Sequence, residues 1–432
     1  MYDIIVIGSG LAGLHSAYSL QNHTKNICIL EKECRIGGRI LTVNHEGMRI
    51  EAGAGRFNGN HTLLMYLIQS LGLISSLTKI PSDLIFVPSK HTYEKRPEYV
   101  GKTPFSVLNR VLQKMKRVPK RELLSYTFID YVKEKLCKER ENISKTDVDF
   151  ILDSFGYYEQ LIHMNAYHAL KLFDEGMHTK HQFYGLKGGM SQIVERLCER
   201  ITCPIHTNQS VQHIEYMTYC QTPHFLIHVE GRKMPYKAKY CIGAIPKLAM
   251  ERIPLFRVVQ PTLDCIGVKI LCRIYAKFPP EENTWLEHIR KTTINNNSRY
   301  IIPIDRSQGW IMIAYTDSKY AEYWKKKSDD YDGFWKALKK NLEDALSGNE
   351  NTKSCTISEP TFLRAFYWET GTSFWKPGCD GDIESDKMVR PIASMPLFVC
   401  GENISTCQGW MEGALETSEV AVKALASEAS YL

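Results

Sequence analysis

The stretch Asp3–Leu20, DIIVIGSGLAGLHSAYSL, decides the fold. It opens with the apolar run IIVI, which is typical of a strand buried on both faces of a parallel sheet. Three glycines follow in G-x-G-x-x-G spacing, and apolar residues then recur at helical intervals; the glycines are Gly8, Gly10 and Gly13. The stretch therefore predicts a strand, a glycine-rich turn and a helix.

Each glycine of this turn has a predicted task. Gly8 permits the tight turn, Gly10 lets backbone N–H groups approach a pyrophosphate, and Gly13 lets the helix lie close to the strand. The phosphates would rest on the positive end of the helix. A second apolar strand, NICILE, ends at Glu31, about 20 residues further on, where an acidic residue accepts hydrogen bonds from an adenosine ribose. Together these features predict a Rossmann-like dinucleotide-binding domain, and Glu31 argues against a ribose 2′-phosphate.

The composition is that of a globular protein of 432 residues, with 44% hydrophobic and 24% charged residues. The net charge of +6 is spread along the chain. Its densest basic run, KMKRVPKR at 114–121, has no interleaved aromatic residues, so we expect a solvated helix end or loop and no nucleic-acid partner. The first residues carry no charged leader, and no apolar stretch is long enough to span a bilayer, so we expect no membrane partner.

The cysteines bear on metal binding and on the cellular compartment. There are thirteen of them, and their spacing shows neither a C-x-x-C pair nor a His/Cys cluster of the kind that zinc needs. We therefore expect no metal site. Reduced thiols in a cytoplasmic location are the simplest expectation.

A second glycine pair decides between FAD and NAD. The segment KECRIGGRILT after Glu31 contains Gly38 and Arg39, and MRIEAGAGRF contains Gly55 and Arg56. Glycines followed by arginine at this distance would close a second wall around an extended dinucleotide and place a guanidinium against its phosphates. The alternative is a Gly-Gly hairpin with a surface arginine. Here the sequence resembles the flavin-dependent amine oxidase family, which includes monoamine and L-amino-acid oxidases, and in which a G-G-R-x segment touches the pyrophosphate of FAD.

Two later segments resemble the same family. The segment PLFVCGENISTCQGWMEGALETSEVAVKAL resembles its terminal G-E-x-x-S and G-W/Y-x-x-G-A elements. By that match Glu402 contacts the ribityl-pyrophosphate region, the backbone N–H of Met411 meets the isoalloxazine O2, and Gly401 belongs to the cofactor-binding residues. Trp410 would be an aromatic wall of the pocket, or alternatively a core residue beside a helix. In the middle of the chain, YGLKGGMSQIVERL and IHTNQSVQHIEY resemble the segment in which a valine, here Val211, meets the adenine.

Two residues are the main catalytic candidates. Lys269 lies in the apolar context CIGVKIL, where a charge is costly without a partner. The resemblance implies that this lysine holds a water against flavin N5; the alternative is a strand residue that points to solvent. Arg56 matches the arginine that pairs with the substrate carboxylate in amino-acid oxidases of the family, and its fork geometry suits that task. It would alternatively support a flavin phosphate or a structural carboxylate.

The segment YWETGTSFWKPG bears on the substrate and on flavin attachment. Aligned on Pro377-Gly378, it has Gly371 and Thr370 where monoamine oxidases place a tyrosine and, in several cases, the cysteine that attaches the flavin. The resemblance therefore implies non-covalent FAD and makes a two-sided aromatic cage doubtful. A glycine at position 371 suits an amino-acid oxidase, whose glycine carbonyl accepts a hydrogen bond from the substrate amine.

We predict an α/β fold with a discontinuous FAD-binding domain and a second, α+β, substrate-binding domain. The first domain would comprise residues 1–60, 183–262 and 388–432. The second would comprise residues 61–182, which read as mostly helical, and 263–387, which would supply an antiparallel sheet. The hairpin-like alternation of PHFLIHVEGRKMPYKAKYCIGAIP belongs to the first domain.

The resemblance implies an FAD-dependent oxidase that oxidises the C–N bond of an amine or L-amino acid by hydride transfer to flavin N5. The imine would hydrolyse to an oxo product and ammonia or an amine, and oxygen would be reduced to hydrogen peroxide. Its partners would be the small-molecule substrate and dioxygen, and a homodimer is left open. Alternatives are a protoporphyrinogen oxidase, a carotenoid desaturase, an amino-acid monooxygenase, and a catalytically silent FAD-binding interaction module.

Overall fold

The computed structural model describes residues 1–99, 101–138, 142–219, 221–347, 352 and 355–429. The strands in the first half of the chain are β1 Tyr2–Ile7, β2 Ile27–Leu30, β3 Thr42–His45, β4 Met48–Glu51, β5 Phe57–Asn58, β6 Leu77–Ile80, β7 Ile85–Val87, β8 Phe183–Leu186 and β9 Ile205–His206. The later strands are β10 Val211–Met217, β11 His224–Val229, β12 Tyr236–Gly243, β13 Ile266–Lys277, β14 Thr292–Ile294, β15 Tyr300–Asp305, β16 Trp310–Asp317, β17 Phe362–Trp375 and β18 Leu397–Val399.

Helices lie between these strands. The first eight are α1 Leu11–Leu20, α2 Thr62–Ser70, α3 Lys90–Lys95, α4 Phe105–Met115, α5 Lys120–Leu124, α6 Phe128–Tyr131, α7 Lys145–Ser154 and α8 Tyr158–Ile162. The remaining helices are α9 Ala166–Lys171, α10 Ser191–Arg200, α11 Lys247–Met250, α12 Gln260–Cys265, α13 Ser318–Lys327, α14 Tyr331–Ser347, α15 Gly381–Val389 and α16 Met411–Ala429. The segment predicted to be mostly helical, 61–182, contains α2 to α9 together with the short strands β6 and β7.

The central sheet has the order β10-β11-β12-β1-β2-β9. Strand β1 pairs in parallel with β12 and β2, whereas β10, β11 and β12 form an antiparallel meander that includes the expected hairpin. The end of β12 pairs in parallel with β18, at Cys241 to Gly243. Apolar clusters cover both faces of the sheet, as the unbroken IIVI run of β1 predicts.

The second sheet has the order β17-β13-β16-β15-β14-β7. The pairs β13–β17, β13–β16, β15–β16 and β14–β15 are antiparallel, as expected, and β14–β7 is parallel. Side chains of β13 alternate between the two faces. Cys272, Ile274 and Ala276 pack behind the sheet with α13 and α14, so the odd-numbered residues of β13 are left for the opposite face.

Sheet membership follows the predicted division of the chain. Every strand of the central sheet falls in the three ranges predicted for the FAD-binding domain, and every strand of the second sheet falls in the ranges predicted for the other domain. Helix α2, from the start of the second range, packs into the apolar cluster of the central sheet. Its first turn is held by Glu412 of α16, whose two carboxylate oxygens accept the N–H groups of Leu63 and Leu64 at 2.9 Å. The domain limits themselves stay a prediction.

One disulfide departs from the expectation of reduced thiols. Cys265 and Cys379 are bonded, with their Cα atoms 5.7 Å apart, and join the start of β13 to the segment after β17. The other cysteines in the described part of the chain form no further disulfide bond. The two bonded residues are 114 positions apart, so no local spacing pattern could reveal the pair.

None of the helices in the described ranges combines the length and the apolar character that crossing a bilayer requires.

The contact between β1 and α1 depends on two glycines. A Cβ on Gly13 would lie 2.0 Å from the carbonyl oxygen of Gly8, and a Cβ on Gly8 would lie 2.5 Å from the carbonyl oxygen of Ala244. Gly8 also has a φ of +100°, a conformation that other residues rarely adopt. Strand β1, helix α1 and the end of β12 can therefore pack this closely only because Gly8 and Gly13 have no side chains.

We expect Gly13→Ala to lower the free energy of unfolding by about 2–3 kcal/mol, because the backbone must move to relieve the overlap. Gly10→Ala is the matched control: nothing lies within 4 Å of a Cβ at that position, so the cost is about 1 kcal/mol or less. Urea unfolding followed by circular dichroism measures both. Equal losses in the two variants would contradict the role assigned to Gly13.

Candidate active site

A cavity of about 2320 Å³ borders the carboxyl ends of the parallel strands and one face of β13. This volume exceeds the roughly 300–1,000 Å³ of pockets that take drug-sized ligands. Basic side chains outnumber acidic ones in its wall, which favours an anionic ligand. All the predicted site residues line this cavity except Gly13, which lies beneath the glycine turn; they are Gly8, Gly10, Glu31, Gly38, Arg39, Gly55, Arg56, Val211, Lys269, Gly371, Gly401, Glu402, Trp410 and Met411.

The glycine turn leaves an open space above the start of α1. A Cβ on Gly10 would meet no atom within 4 Å, so this position is open towards the cavity. The loop that carries Gly38 folds over it, since a Cβ on Gly38 would lie 3.1 Å from the Cα of Gly10. The first N–H groups of a helix lack intrahelical acceptors and carry partial positive charge. The space is therefore suited to a phosphate group.

An ion pair joins the N-terminal and C-terminal parts of the site. Nη1 of Arg39 lies 2.7 Å from Oε2 of Glu402, a carboxylate that is 4% exposed. The backbone N–H groups of Ser373 and Gly409 donate to the other oxygen of Glu402 at 3.1 and 2.6 Å. Arg39 also donates to the carbonyl oxygen of Gly371 at 3.2 Å. Glu402 therefore fixes the position of Arg39 in the cavity wall.

The predicted adenosine end is formed by β2 and β10. Oε2 of Glu31 accepts the backbone N–H of Ser9 at 2.8 Å and its hydroxyl at 2.5 Å, while Oε1 accepts the N–H of Glu33 at 2.8 Å. These bonds aim the buried carboxylate into the turn after β1. Val211, the first residue of β10, lines the same end of the cavity.

Lys269 is a buried cation on the cavity face of β13. It is 3% exposed, and its Nζ lies 3.4 Å from Oδ2 of Asp317 at the end of β16. Asp317 also receives the backbone N–H groups of Tyr158 and Glu159 at the start of α8. The partner that the apolar sequence context of Lys269 requires is thus supplied from a different strand, so the solvent-facing alternative is wrong.

Gly371 lies in an irregular part of β17 beside Lys269. Lys269 pairs with Thr372 and Leu271 pairs with Trp368, so β17 has two extra residues across this interval. Such bulges re-aim backbone groups and are common beside active sites. The Gly371 carbonyl faces Arg39, and it retains a second lone pair for a ligand.

Arg56 lies among aromatic side chains. Its Nη2 donates to the hydroxyl of Tyr157 at 3.2 Å, and its guanidinium carbon is 4.6 Å from the centroid of the Phe183 ring. Phe183 in turn stacks on Trp410, with centroids 6.2 Å apart and an angle of 19° between the planes. Trp410 is 8% exposed and also contacts His61 edge-on. The predicted carboxylate clamp and the predicted aromatic wall are therefore joined through Phe183.

Sequence reasoning missed several residues of this end of the cavity. They are Tyr157, Phe183, Arg273, Tyr300, Tyr315 and Asp317. Only Arg273 had a usable signal, because it stands four residues after Lys269 on the same face of one strand. The tyrosines come from segments in which the family resemblance is weak.

The electrostatics of this end are dominated by cations. Burial raises the pKa of Tyr315, but the adjacent Arg273 guanidinium, together with Lys269 and Arg56, outweighs burial and leaves the pKa below its ordinary value. The guanidinium of Arg273 lies 4.5 Å from the centroid of the Tyr315 ring. This end of the cavity therefore favours a negatively charged ligand group.

The family follows from a comparison with known protein families. The family model of the flavin-containing amine oxidoreductases matches residues 11–426. The chain belongs to this family, as its glycine motifs indicated.

Curated relatives include L-amino-acid oxidases of snakes. The Naja atra protein is 28% identical over 247 residues, which are 51% of this chain and 48% of the relative. BjussuLAAO-I of Bothrops jararacussu is 27% identical over 335 residues, 69% and 64% of the two chains. The Notechis scutatus scutatus protein is 26% identical over 357 residues, 74% and 67% of the two chains. The matched part of this chain spans about half to two thirds of these relatives.

A solved structure shares the fold. A redesigned triple mutant of putrescine oxidase superposes with a TM-score of 0.71, covers 99% of each chain and is 15% identical in sequence. This likeness supports the predicted mixed α/β fold.

The cavity residues fit a flavin dinucleotide. Family membership implies a flavin, and the open space above Gly10 meets the geometric need of a pyrophosphate. Met411 is the first residue of α16, so its N–H is one of those without an intrahelical acceptor. No cysteine or histidine in the described ranges lines the cavity.

We expect a double-mutant cycle on Lys269 and Asp317 to give a coupling energy of at least about 1 kcal/mol, since either single change leaves a buried charge unpaired. The variants are Lys269→Met, Asp317→Asn and the double mutant, and urea unfolding gives the energies. The exposed pair Arg196–Glu199 is the control, with an expected coupling of about 0.5 kcal/mol or less. A coupling near zero for the buried pair would contradict the assignment.

Proposed function

We propose that this chain is an FAD-dependent oxidase acting on the C–N bond of an L-amino acid. The observation that carries the proposal is the Arg56 guanidinium, which lines the cavity and, among the described residues, has one neutral hydrogen-bond partner, Tyr157. Buried charges in proteins are normally paired, and a carboxylate matches the guanidinium fork. The snake relatives support this choice over carboxylate-free amines, since their names specify L-amino acids.

The cofactor would be FAD, bound without a covalent link in a Rossmann-like domain. When bound, the flavin accepts a hydride at N5 from the carbon beside the substrate nitrogen, and dioxygen then takes the electrons to form hydrogen peroxide. The open Gly10 position and the start of α1 would hold the pyrophosphate, Glu31 the ribose and Val211 the adenine. The absence of cysteine and histidine from the described cavity wall supports non-covalent binding.

The residues of the chain would orient the substrate and handle protons. Arg56 would hold the α-carboxylate, the Gly371 carbonyl would accept a hydrogen bond from the amine, and Trp410 with Phe183 would form a wall. Lys269, held by Asp317, would position a water close to flavin N5. After hydride loss the substrate is an imine, which water hydrolyses to a 2-oxo acid and ammonia. Orientation in a dry cavity supplies most of the catalysis.

Two further attributes belong to the proposal. Dioxygen would be the electron acceptor, and the chain would be cytoplasmic. The cysteines that form no disulfide bond, such as Cys28 and Cys241, support this compartment, and the Cys265–Cys379 disulfide opposes it. Blocking thiols at the moment of cell lysis and mapping both cysteines by mass spectrometry tests the location: a disulfide found intact in most molecules would contradict it.

The first experiment is anaerobic reduction of the purified yellow protein. We expect the flavin band near ~450 nm to bleach on addition of L-amino acids but not of monoamines or polyamines. Arg56→Ala should retain its flavin and lose at least about 100-fold in kcat/KM, because a desolvated charge-assisted pair is lost. Arg56→Lys, which keeps the charge without the fork, should lose less.

Three outcomes would overturn the proposal. Bleaching by carboxylate-free amines alone would make Arg56 a structural residue. A yellow protein reduced by neither class would shift the assignment to a desaturase, a protoporphyrinogen oxidase or a silent scaffold. Retention of amino-acid oxidation in Arg56→Ala would remove the proposed clamp. Gly10→Ala serves as a control for the cofactor, since it should lower flavin content without unfolding the chain.

A further inference from the structure

A second guanidinium, that of Arg273, lies at the same end of the cavity as Arg56. Its Nη1 donates to the backbone carbonyl of Glu51 at 2.8 Å, and its flat face covers the Tyr315 ring. Within the described ranges, neither Arg56 nor Arg273 has a carboxylate oxygen within 4.0 Å. These two half-buried cations therefore have no carboxylate in direct contact, and the nearest negative charge that acts on Arg273 is that of Glu51.

Two other cations of the site are neutralised by acids. Arg39 is paired with Glu402 at 2.7 Å, and Lys269 is paired with Asp317 at 3.4 Å. An unpaired buried charge is costly, and a protein retains one where a ligand supplies the counter-charge. The contrast with these two pairs sets Arg56 and Arg273 apart.

The acids nearest to this end make their hydrogen bonds with other groups. Burial raises the pKa of Glu51 to about 6, against its bonds from the Met190 N–H and the Thr42 hydroxyl and against the charge of Arg273. Asp305 accepts bonds within its own turn from Ser307 and Gln308.

A third basic side chain lies on the same wall. Burial, followed by the charge of Arg56, lowers the pKa of Lys291 to about 7 against the influence of Asp83. Burial is the larger cause, and the smaller contribution of Arg56 is that of a nearby positive charge.

Neutral rings connect the two guanidinium groups. Tyr157, which accepts from Arg56, meets Tyr315 edge-on at 5.6 Å, and Tyr300 lies within 6 Å of both rings. Phenol hydroxyls both donate and accept hydrogen bonds. Arg273 is four residues from Lys269 along β13, or about 13 Å of extended backbone, so its guanidinium can meet a group several bonds from the reacting carbon.

We propose that the substrate is an acidic L-amino acid, with its α-carboxylate held by Arg56 and its side-chain carboxylate held by Arg273. The inference rests on the proposed function, because it takes Arg56 as the α-carboxylate clamp. A neutral side chain leaves Arg273 unpaired in the occupied cavity, whereas a second carboxylate neutralises it. Arg273 is then the residue that selects the side chain.

The test compares L-glutamate with L-glutamine, which differ in side-chain charge and hardly in shape. In the wild-type holoenzyme we expect the second-order rate constant of anaerobic flavin reduction to be about 10- to 100-fold higher for L-glutamate than for L-glutamine. Arg273→Gln should bring the ratio of the two rate constants close to 1, chiefly by weakening the binding of L-glutamate. Reduction by L-glutamine should stay within about threefold of wild type. The same measurement with L-aspartate and L-2-aminoadipate identifies the preferred length of the substrate side chain.

Two variants and a binding measurement control the test. Arg290→Gln removes the same charge from an exposed residue of the cavity wall, and the ratio should stay within about threefold. Arg273→Lys keeps the charge, so it should retain part of the preference; it replaces Arg273→Gln where that variant fails to fold. Calorimetry with glutarate and butyrate reads binding without turnover: glutarate should bind at least about 10-fold tighter to wild type, and equally weakly to Arg273→Gln.

The outcomes separate the two proposals. Reduction by neutral L-amino acids at rates equal to or above that of L-glutamate overturns the acidic substrate and leaves the oxidase assignment standing. A glutamate preference that survives in Arg273→Gln also overturns the role of Arg273. Absence of reduction by every L-amino acid overturns the oxidase assignment itself, and equal binding of glutarate and butyrate then rejects the dicarboxylate site independently.

Discussion

Parallel pairing on β12 is the constraint on which the site depends. Strand β1 runs along one edge of β12, and β18 occupies the end of the other edge. Parallel strands bring their carboxyl ends to one edge of a sheet, where ligands of such folds bind. The turns after residues 7 and 399 therefore open into one cavity, although nearly the whole chain separates them. The Arg39–Glu402 ion pair and the glycine contact at Gly8 and Gly13 depend on that arrangement.

The parts of the fold that the sequence predicts are those encoded locally. The IIVI run, the glycine spacing and the helical apolar pattern occupy 18 consecutive residues, and the structure forms the strand, turn and helix there. Lys269 was identifiable because a cation in an apolar strand is costly. The cavity position of Arg56 followed from the family motif that surrounds it.

The remaining parts arise from contacts between distant segments. Asp317 meets Lys269 through the register of β13 with β16, and Tyr157 reaches Arg56 from a loop about 100 residues away. The Cys265–Cys379 disulfide likewise joins two segments with no shared pattern. A local sequence pattern does not determine strand register or the angles at which distant segments cross. The cations of the cavity that are paired with an acid could therefore be distinguished from the unpaired ones only in the structure.

The cap that Glu412 places on α2 also bears on how the chain is assembled. Helix α16 carries this carboxylate, and β18 covers the open edge of β12; both are synthesised after every other described element. A nascent chain that ends before β18 would have an uncapped α2, an exposed strand edge that invites pairing with other chains, and only half of a cofactor cradle. Closure of the cavity therefore requires β18 and α16, the last two described elements in chain order.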